Sequence, residues 1–182
     1  MGVQLLFPDF LCVHIVYPNR NIPLLQVGVV YLILLRWVAE NGAVADFVMN
    51  DKCAAGTGRF LQVMTGILDI TLAELGQMAI KAEPVSINSM CTVFAESEII
   101  GLLAQGVSKE VIAAGIVNTI ANKLASLTSR VSCKSEVTFS GGVANNVEIC
   151  QMLSAALGVE FNVPWQPQIV GALGAAIIAY RQ

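Results

Sequence analysis

Two cysteines are of chemical interest because each lies directly before a run of residues that is predicted to be helical. Cys53 lies in the run NDKCAAGTGRF at residues 50–60, and Cys91 lies in the run NSMCTVFAESE at residues 88–98. A thiolate at a helix start faces unpaired backbone N–H groups and the positive end of the helix dipole. This environment lowers the pKa of a cysteine and favours an anionic sulfur ligand. The repeated layout indicates a shared purpose for the two cysteines.

Two such thiolates could ligate an iron–sulfur cluster. A 4Fe–4S cluster requires four thiolates, and a symmetric dimer would supply them if each subunit contributed Cys53 and Cys91. Free cysteines are also commonly buried as small apolar residues, and the spacing alone favours this second interpretation because no compact CxxC motif is present. A cluster within one chain would need Cys133 and Cys150 as well. Cys150 follows Ile149 in an apolar predicted helix, however, where core packing explains it.

Three glycine-rich segments could contact a phosphate or a nucleotide. Gly56 and Gly58 precede a predicted helix, where backbone N–H groups could face an anion, either a phosphate or a cluster sulfide. Residues 139–146 (FSGGVANN) lead from a predicted strand through two glycines into a helix, and such glycines let a flat ligand such as adenine approach the backbone. An ordinary tight turn would have the same pattern. Residues 171–176 (GALGAA) form a small-residue helix, which by itself indicates close helix packing.

Other chemistries are poorly supported. The single histidine, His14, has no acid or nucleophile beside it, so a structural role is expected. Glu96 and Glu98 are two positions apart on a predicted helix, so they diverge and do not form a paired-carboxylate site. Two cysteines without histidines give an incomplete tetrahedral zinc site. The net charge is −3 without a Lys/Arg cluster, which does not predict a nucleic-acid partner.

The elements that would position these residues are predicted from residue 43 onward. Thr71 and Glu74 form a capping-box pattern, and Ser108 is the expected N-cap of a long helix with an apolar stripe. The predicted strands cover residues 44–49, 85–88, 136–140 and 159–163. The predicted helices cover residues 59–67, 71–80, 92–104, 108–130, 145–157 and 170–180. Strands that alternate with helices indicate a helix-rich α/β layered domain.

Residues 1–42 differ from the rest of the chain, because prolines interrupt them and neither helical nor strand periodicity persists. Their apolar run, residues 27–35, is much shorter than the roughly 20 residues of a membrane-spanning helix, so we expect a buried strand or helix there. Asn41 and Gly42 form a turn signal, and the apolar run before them could pair with residues 44–49 as a hairpin. No signal peptide is predicted in this segment.

The composition places the chain in a reducing compartment. Its five cysteines are odd in number and widely spaced, which is not a disulfide framework and fits the cytoplasm. Hydrophobic residues make up 55% of the chain and charged residues only 13%. This apolar content is high for a soluble protein. Either much of the surface is buried against a partner, or a segment contacts a membrane. The short apolar run favours the first explanation.

Four segments together resemble the ATP-dependent activators of 2-hydroxyacyl-CoA dehydratases and their benzoyl-CoA reductase relatives. They are residues 46–60, 87–98, 139–146 and 167–176, and they occur in the order found in that family. The resemblance covers residues 43–182. The two cysteine motifs are highly specific to the family, whereas the glycine motifs are shared with the wider actin-like and sugar-kinase ATPases.

The resemblance implies an actin-like (ribonuclease H-like) ATPase lobe that uses ATP with Mg²⁺ and forms a homodimer around one 4Fe–4S cluster. Cys53 and Cys91 match the two cluster ligands that each subunit donates. The implied nucleotide-binding residues are Gly141, Gly142 and Asn145 on the adenosine-binding turn, and Gly171 and Gly174 on a second connecting segment. In such activators, ATP hydrolysis rearranges the dimer and drives one low-potential electron to the dehydratase, which removes water from a 2-hydroxyacyl-CoA.

The chain departs from the family pattern at its N-terminal end. We expect the chain to lack the first ATPase lobe of the family, and residues 28–34 (GVVYLIL) stand where the family has a phosphate loop resembling GGQDSK. Gly28 matches, but the acid, hydroxyl and lysine of that loop do not, so Mg²⁺ and γ-phosphate lack visible ligands. We expect residues 1–42 to be a divergent segment of a truncated or frame-shifted chain, and residues 43–182 to form the ATPase and cluster-binding domain. A dimeric cluster-binding module without ATPase activity and a membrane-tethered domain are the alternatives.

Overall fold

The computed structural model of the protein describes residues 10–15, 33–38, 44–49, 58–88, 91–130 and 136–180. Within these ranges, five strands form one mixed sheet. The strands are β1 (Phe10–Ile15), β2 (Ile33–Val38), β3 (Val44–Met49), β4 (Glu136–Ser140) and β5 (Phe161–Asn162). They lie in the order β3-β2-β1-β4-β5. β2 pairs antiparallel with both β1 and β3, and β4 pairs parallel with both β1 and β5.

Two of these strands come from the first 42 residues, where the sequence shows no persistent period. β2 and β3 pair as the expected hairpin, with Leu35 opposite Val48. The described part of the apolar run is therefore a strand, as one of the two expectations had it. β1 holds His14, whose register partners are Leu34 on β2 and Ser140 on β4. The domain boundary expected between residues 42 and 43 stays a prediction. The sheet contains strands from both sides of it.

Six α-helices accompany the sheet in the described part of the chain. They are α1 (Gly58–Leu68), α2 (Leu72–Ala79), α3 (Thr92–Ala104), α4 (Lys109–Thr128), α5 (Val147–Leu157) and α6 (Val170–Tyr180). Four of them lie between β3 and β4, so they belong to the long connection that parallel pairing of β1 and β4 requires. The expected N-cap Ser108 is confirmed, because its side chain accepts a hydrogen bond from the N–H of Val111. The predicted helices are thus confirmed with small shifts at their ends.

The long helix α4 carries the centre of the hydrophobic core. Its apolar stripe is buried as predicted, at Ile112, Ile116, Ile120, Leu124 and Leu127. α4 contacts α2 and α5, and on the sheet Phe139 stacks on Phe161 with ring centroids 5.0 Å apart. Among the described residues, α4 is also the one helix with the length and hydropathy of a membrane span, but 56% of its most apolar window is buried inside the fold.

The segment that lies between α2 and α3 corrects one prediction. Residues 85–88 were expected to form a strand, but within the described part of the chain they join no sheet. Instead they run along α4, where the Val85 N–H donates to the carbonyl of Val111 at 3.4 Å. The close approach depends on Gly115, because a Cβ at this position would lie 2.5 Å from the Val85 carbonyl oxygen. The alternating pattern of residues 85–88 therefore reflects packing against a helix.

The capping box at the start of α2 is confirmed and gives a first testable prediction. Thr71 Oγ1 accepts the Glu74 N–H at 3.2 Å, and Glu74 Oε2 accepts the Thr71 N–H at 2.6 Å. We expect Thr71→Ala to lower the free energy of unfolding by about 1 kcal/mol, because the helix loses its cap. Urea denaturation would measure the change. Thr71→Ser keeps the hydroxyl and is the matched control, so an equal loss in both variants would contradict the capping role.

The same contacts make the stability of the fold depend on pH. Hydrogen bonds from the backbone and then the side chain of Thr71 lower the pKa of Glu74 below its ordinary value of 4.5. A carboxylate with a depressed folded-state pKa stabilises the fold above pH 4.5, and this contribution is lost as the pH falls through the folded-state pKa.

Candidate functional site

Cys91 lies at the N-terminus of α3, as the sequence predicts. It is the N-cap residue, with extended φ and ψ of −86° and 130°, and its carbonyl accepts the Ala95 N–H at 2.9 Å. Its half-buried thiol makes no capping hydrogen bond. The first N–H groups of a helix have no partner within the helix, and the positive end of the dipole lies there. Cys91 therefore lies beside backbone N–H groups that have no partner within the helix.

A buried hydroxyl beside Cys91 has no hydrogen-bond partner in the part of the chain that the structure describes. This atom is Thr92 Oγ1. Leaving a buried hydroxyl without a partner costs free energy, so such an atom indicates room for a further acceptor or donor. Thiolate and sulfide are acceptors that would suit this position. The residues at the start of α3 thus fit one side of an anionic sulfur-ligated group.

The segment before Cys91 is hydrogen-bonded to α3 through Asn88. Glu98, on the second turn of α3, accepts the backbone N–H of Asn88 at 3.0 Å and the Asn88 Nδ2 at 3.3 Å, both at Oε1. Glu96 is exposed on the same helix. The two carboxylates therefore have different surroundings. The spacing in the sequence indicates only that Glu98 diverges from Glu96, and no local pattern predicts the contact with Asn88.

Of the other four cysteines, Cys12 lies on β1, Cys150 lies in the core, and two lie outside the described residues. Cys53 and Cys133 lie outside the described residues, as does Gly56. Cys150 is buried, as predicted, and its thiol donates to the Ala144 carbonyl at 3.5 Å. Burial raises the pKa of the Cys150 thiol to about 11. This thiol stays protonated at neutral pH, which disfavours the thiolate that a metal ligand must supply.

The predicted nucleotide turn follows β4 directly. Gly141 has φ of 97°, a value that favours glycine, and its N–H donates to the Pro167 carbonyl at 2.7 Å. A 3₁₀ turn then spans Gly142–Asn145, in which Asn145 Nδ2 donates to the Gly142 carbonyl at 3.3 Å. The side chain of Asn145 is exposed. This geometry places the buried Gly141, the half-buried Gly142 and the exposed amide of Asn145 at the carboxyl end of β4.

The bond from Gly141 to Pro167 brings together two segments that the sequence singled out separately. Pro167 begins a second 3₁₀ turn, Pro167–Ile169, which leads into α6. Gly171 and Gly174 lie on the first turns of α6, and a Cβ at either position would meet no described atom within 4 Å. The close helix packing expected for this glycine pair therefore has no partner among the described residues. Gly58, by contrast, is buried at the start of α1.

Asn146 is a structural residue that the sequence analysis missed. It caps α5, because its Oδ1 accepts the Ile149 N–H at 2.9 Å, and its Nδ2 donates to the Leu72 carbonyl on α2 at 2.8 Å. Gly76 makes room for it, since a Cβ there would lie 2.3 Å from the Asn146 Oδ1. The helix was predicted to begin at Asn145, which hid the capping role. An asparagine directly before an apolar helix would have been the signal.

Comparison with known proteins places this geometry in a family. The BadF/BadG/BcrA/BcrD ATPase family matches residues 37–179. The 2-hydroxyisocaproyl-CoA dehydratase activator of Clostridioides difficile is 45% identical over 144 residues, or 79% of this chain and 54% of that protein. The (R)-2-hydroxyglutaryl-CoA dehydratase activating ATPase of Acidaminococcus fermentans is 46% identical over 144 residues, or 79% of this chain and 55% of that protein. The chain thus spans about half the length of these curated relatives.

The structural comparison agrees with the expected fold. The activator of the 2-hydroxyisocaproyl-CoA dehydratase from Clostridium difficile, solved with bound ADPNP, matches with a TM-score of 0.79 and 36% identity. The match covers 96% of this chain and 60% of that one. The α/β architecture is therefore the actin-like fold of such activators, as the sequence predicted. The chain belongs to the BadF/BadG/BcrA/BcrD ATPase family.

Proposed function

We propose that this chain is an iron–sulfur ATPase subunit of the activator type, which passes a low-potential electron to a 2-hydroxyacyl-CoA dehydratase at the expense of ATP. The observation that carries the proposal is the position of Cys91. Its thiol makes no capping hydrogen bond and lies at the N-terminus of α3, inside the region that the family model matches. Relatives whose names describe them as dehydratase activators support the partner. A cytoplasmic location follows from this role.

Cys53 and Cys91 are the proposed ligands, two from each subunit of a homodimer. The described residues contain no group of three His, Cys, Asp or Glu side chains that could hold a metal within one chain. A site completed by a second copy would need only two thiolates from each chain. When bound, a 4Fe–4S cluster supplies one-electron transfer. The chain's own contribution is to hold Cys91 at a helix N-terminus, where the dipole favours the negative charge of the thiolate.

ATP with Mg²⁺ is the proposed nucleotide. Gly141, Gly142 and Asn145 would form the adenosine side of the site, because they make up the turn after β4 and the amide of Asn145 is exposed there. Gly171 and Gly174 would form the second nucleotide-side segment. Support comes from the bond between Gly141 and Pro167, which joins both segments, and from the ADPNP in the related activator. Gly56 and Gly58 would surround the phosphate or the cluster from the start of α1.

Anaerobic purification tests the cluster part of the proposal. We expect a brown dimer with about four irons per dimer, as one 4Fe–4S cluster requires. Light scattering after gel filtration would give the mass, and an iron assay with visible absorption would give the cluster. A colourless protein with all five thiols free would refute the cluster.

A second candidate is a dimeric cluster-binding module without ATPase activity. The observation that favours it is the sequence of residues 28–34, which contains no acidic residue, serine or lysine. Calorimetric titration with ADPNP and a phosphate-release assay separate the two candidates. Binding with turnover supports the ATPase, and binding without turnover supports the module.

A further inference from the structure

We infer that Glu98 is a positioning residue that fixes the approach of the chain to Cys91. This inference rests on the proposed function, because Cys91 is its object. The Oε1 of Glu98 accepts two hydrogen bonds from Asn88, one from the backbone N–H and one from the side chain. One carboxylate oxygen therefore closes a loop that begins before Cys91 and ends on the second turn of the helix that Cys91 caps.

Both faces of the entering segment are held. Its apolar face packs on the core, where Ile87 is partly buried against it, and Val85 bonds to α4. On its polar face, Ser86 Oγ donates to Asn88 Oδ1 at 3.2 Å, which leaves the Asn88 Nδ2 directed to Glu98. Hydrogen bonds to an ionised acceptor are stronger than neutral ones. Glu98 thus gives Asn88 two charge-assisted hydrogen bonds.

The consequence falls on the Cys91 thiol. This cysteine caps α3 through its backbone alone, since its side chain makes no capping hydrogen bond. Its orientation therefore depends on where the preceding chain arrives. A ligand must be held close to its productive position to keep a metal bound, and residues that contact ligands indirectly provide that orientation. Releasing Asn88 would loosen the position of Cys91 and would expose its half-buried thiol.

The test compares three substitutions, all of them on α3. Glu98→Ala removes the acceptor, Glu98→Gln keeps an oxygen that can accept both bonds, and Glu96→Ala removes an exposed carboxylate two residues away as the matched control. The first readout is the iodoacetamide alkylation rate of Cys91 in the iron-free chain, followed by peptide mass spectrometry. We expect an increase of about threefold or more in Glu98→Ala, in keeping with the loss of hydrogen bonds that each contribute a factor of a few.

The expected alkylation rate for Glu96→Ala equals that of the unmodified chain, and the rate for Glu98→Gln, which keeps a neutral acceptor for both bonds, should lie between that rate and the rate of Glu98→Ala. The second readout is iron retained after reconstitution and gel filtration, where Glu98→Ala should lose at least half and the other two variants should not. If Glu98→Ala and Glu96→Ala behave alike in both assays, Glu98 does not position Cys91. Asn88→Ala, at an exposed position, keeps the backbone bond and should give an intermediate alkylation rate even if Glu98→Ala does not fold.

The two hypotheses fail in different ways. A chain that never binds iron refutes the cluster, while the alkylation rates still report on Glu98. A chain that binds iron equally well with and without Glu98, and whose Cys91 alkylation is unchanged, refutes the positioning role and leaves the cluster intact.

Discussion

Cys91→Ala and Cys53→Ala are each expected to reduce bound iron to background after anaerobic reconstitution. In a symmetric dimer each substitution removes two of the four thiolates at once, and a 4Fe–4S cluster does not persist on two cysteine ligands. Iron content and the visible absorption of the brown protein would measure the loss. The effect should be equally complete for both cysteines, although only Cys91 lies in the described part of the chain.

Cys150→Ala is the matched control for this prediction. Its thiol is buried against the Ala144 carbonyl with a pKa of about 11, so it is a core residue and not a ligand candidate. The variant should lose some stability and keep its iron. Cys133→Ala should keep its iron as well. Iron that survives Cys91→Ala, or disappears with Cys150→Ala in a folded protein, would contradict the proposed ligand set.

Gly115→Ala is expected to lower the free energy of unfolding by about 2 kcal/mol, because overpacking a close contact outweighs the better helix propensity of alanine. The new Cβ would lie 2.5 Å from the carbonyl oxygen of Val85 and 3.2 Å from Ile87 Cδ1. Backbone cannot yield as a flexible side-chain end can, so the segment at residues 85–88 must move off α4. Thermal and urea unfolding would measure the cost.

Gly101→Ala provides the opposite expectation on a neighbouring helix. Gly101 lies within α3, and a Cβ there meets no described atom within 4 Å. This variant should therefore gain about 0.5–1 kcal/mol, the usual advantage of alanine over glycine in a helix. The pair separates packing from propensity. If both substitutions stabilise the protein, the contact between α4 and residues 85–88 is looser than the structure indicates.

The sequence predicted the elements that local chemistry determines. The caps at Thr71 and Ser108 and the buried stripe of α4 were found, because side-chain capping and helical spacing act within a few residues. The segment 85–88 was misassigned, since its alternation is the same for a strand and for a chain packed on a helix. β1 was not found at all. Its pairing with β2 and β4 joins residues far apart in sequence, and no local pattern reports that.

The candidate site was predicted to a similar depth. Cys91 at a helix start and the Gly141 turn followed from residue types next to predicted helices. The bond between Gly141 and Pro167 and the contact of Glu98 with Asn88 did not, because each depends on how separate segments approach in space. Asn146 lies between these cases. Its capping role is local and readable, whereas its bond to the Leu72 carbonyl on α2 is not.

The position of β1 in the sheet has a consequence for how the protein holds together. β1 lies between two parts of the sheet. The β2–β3 hairpin is on one side, and the parallel pair β4–β5, which leads into the glycine turn, is on the other. The residues of β1 lie before the region that the family model matches, which begins at residue 37. Backbone hydrogen bonding does not depend on side-chain identity. Residues 10–15 can therefore connect the two parts of the sheet although they lie outside the family match, provided that they stay extended.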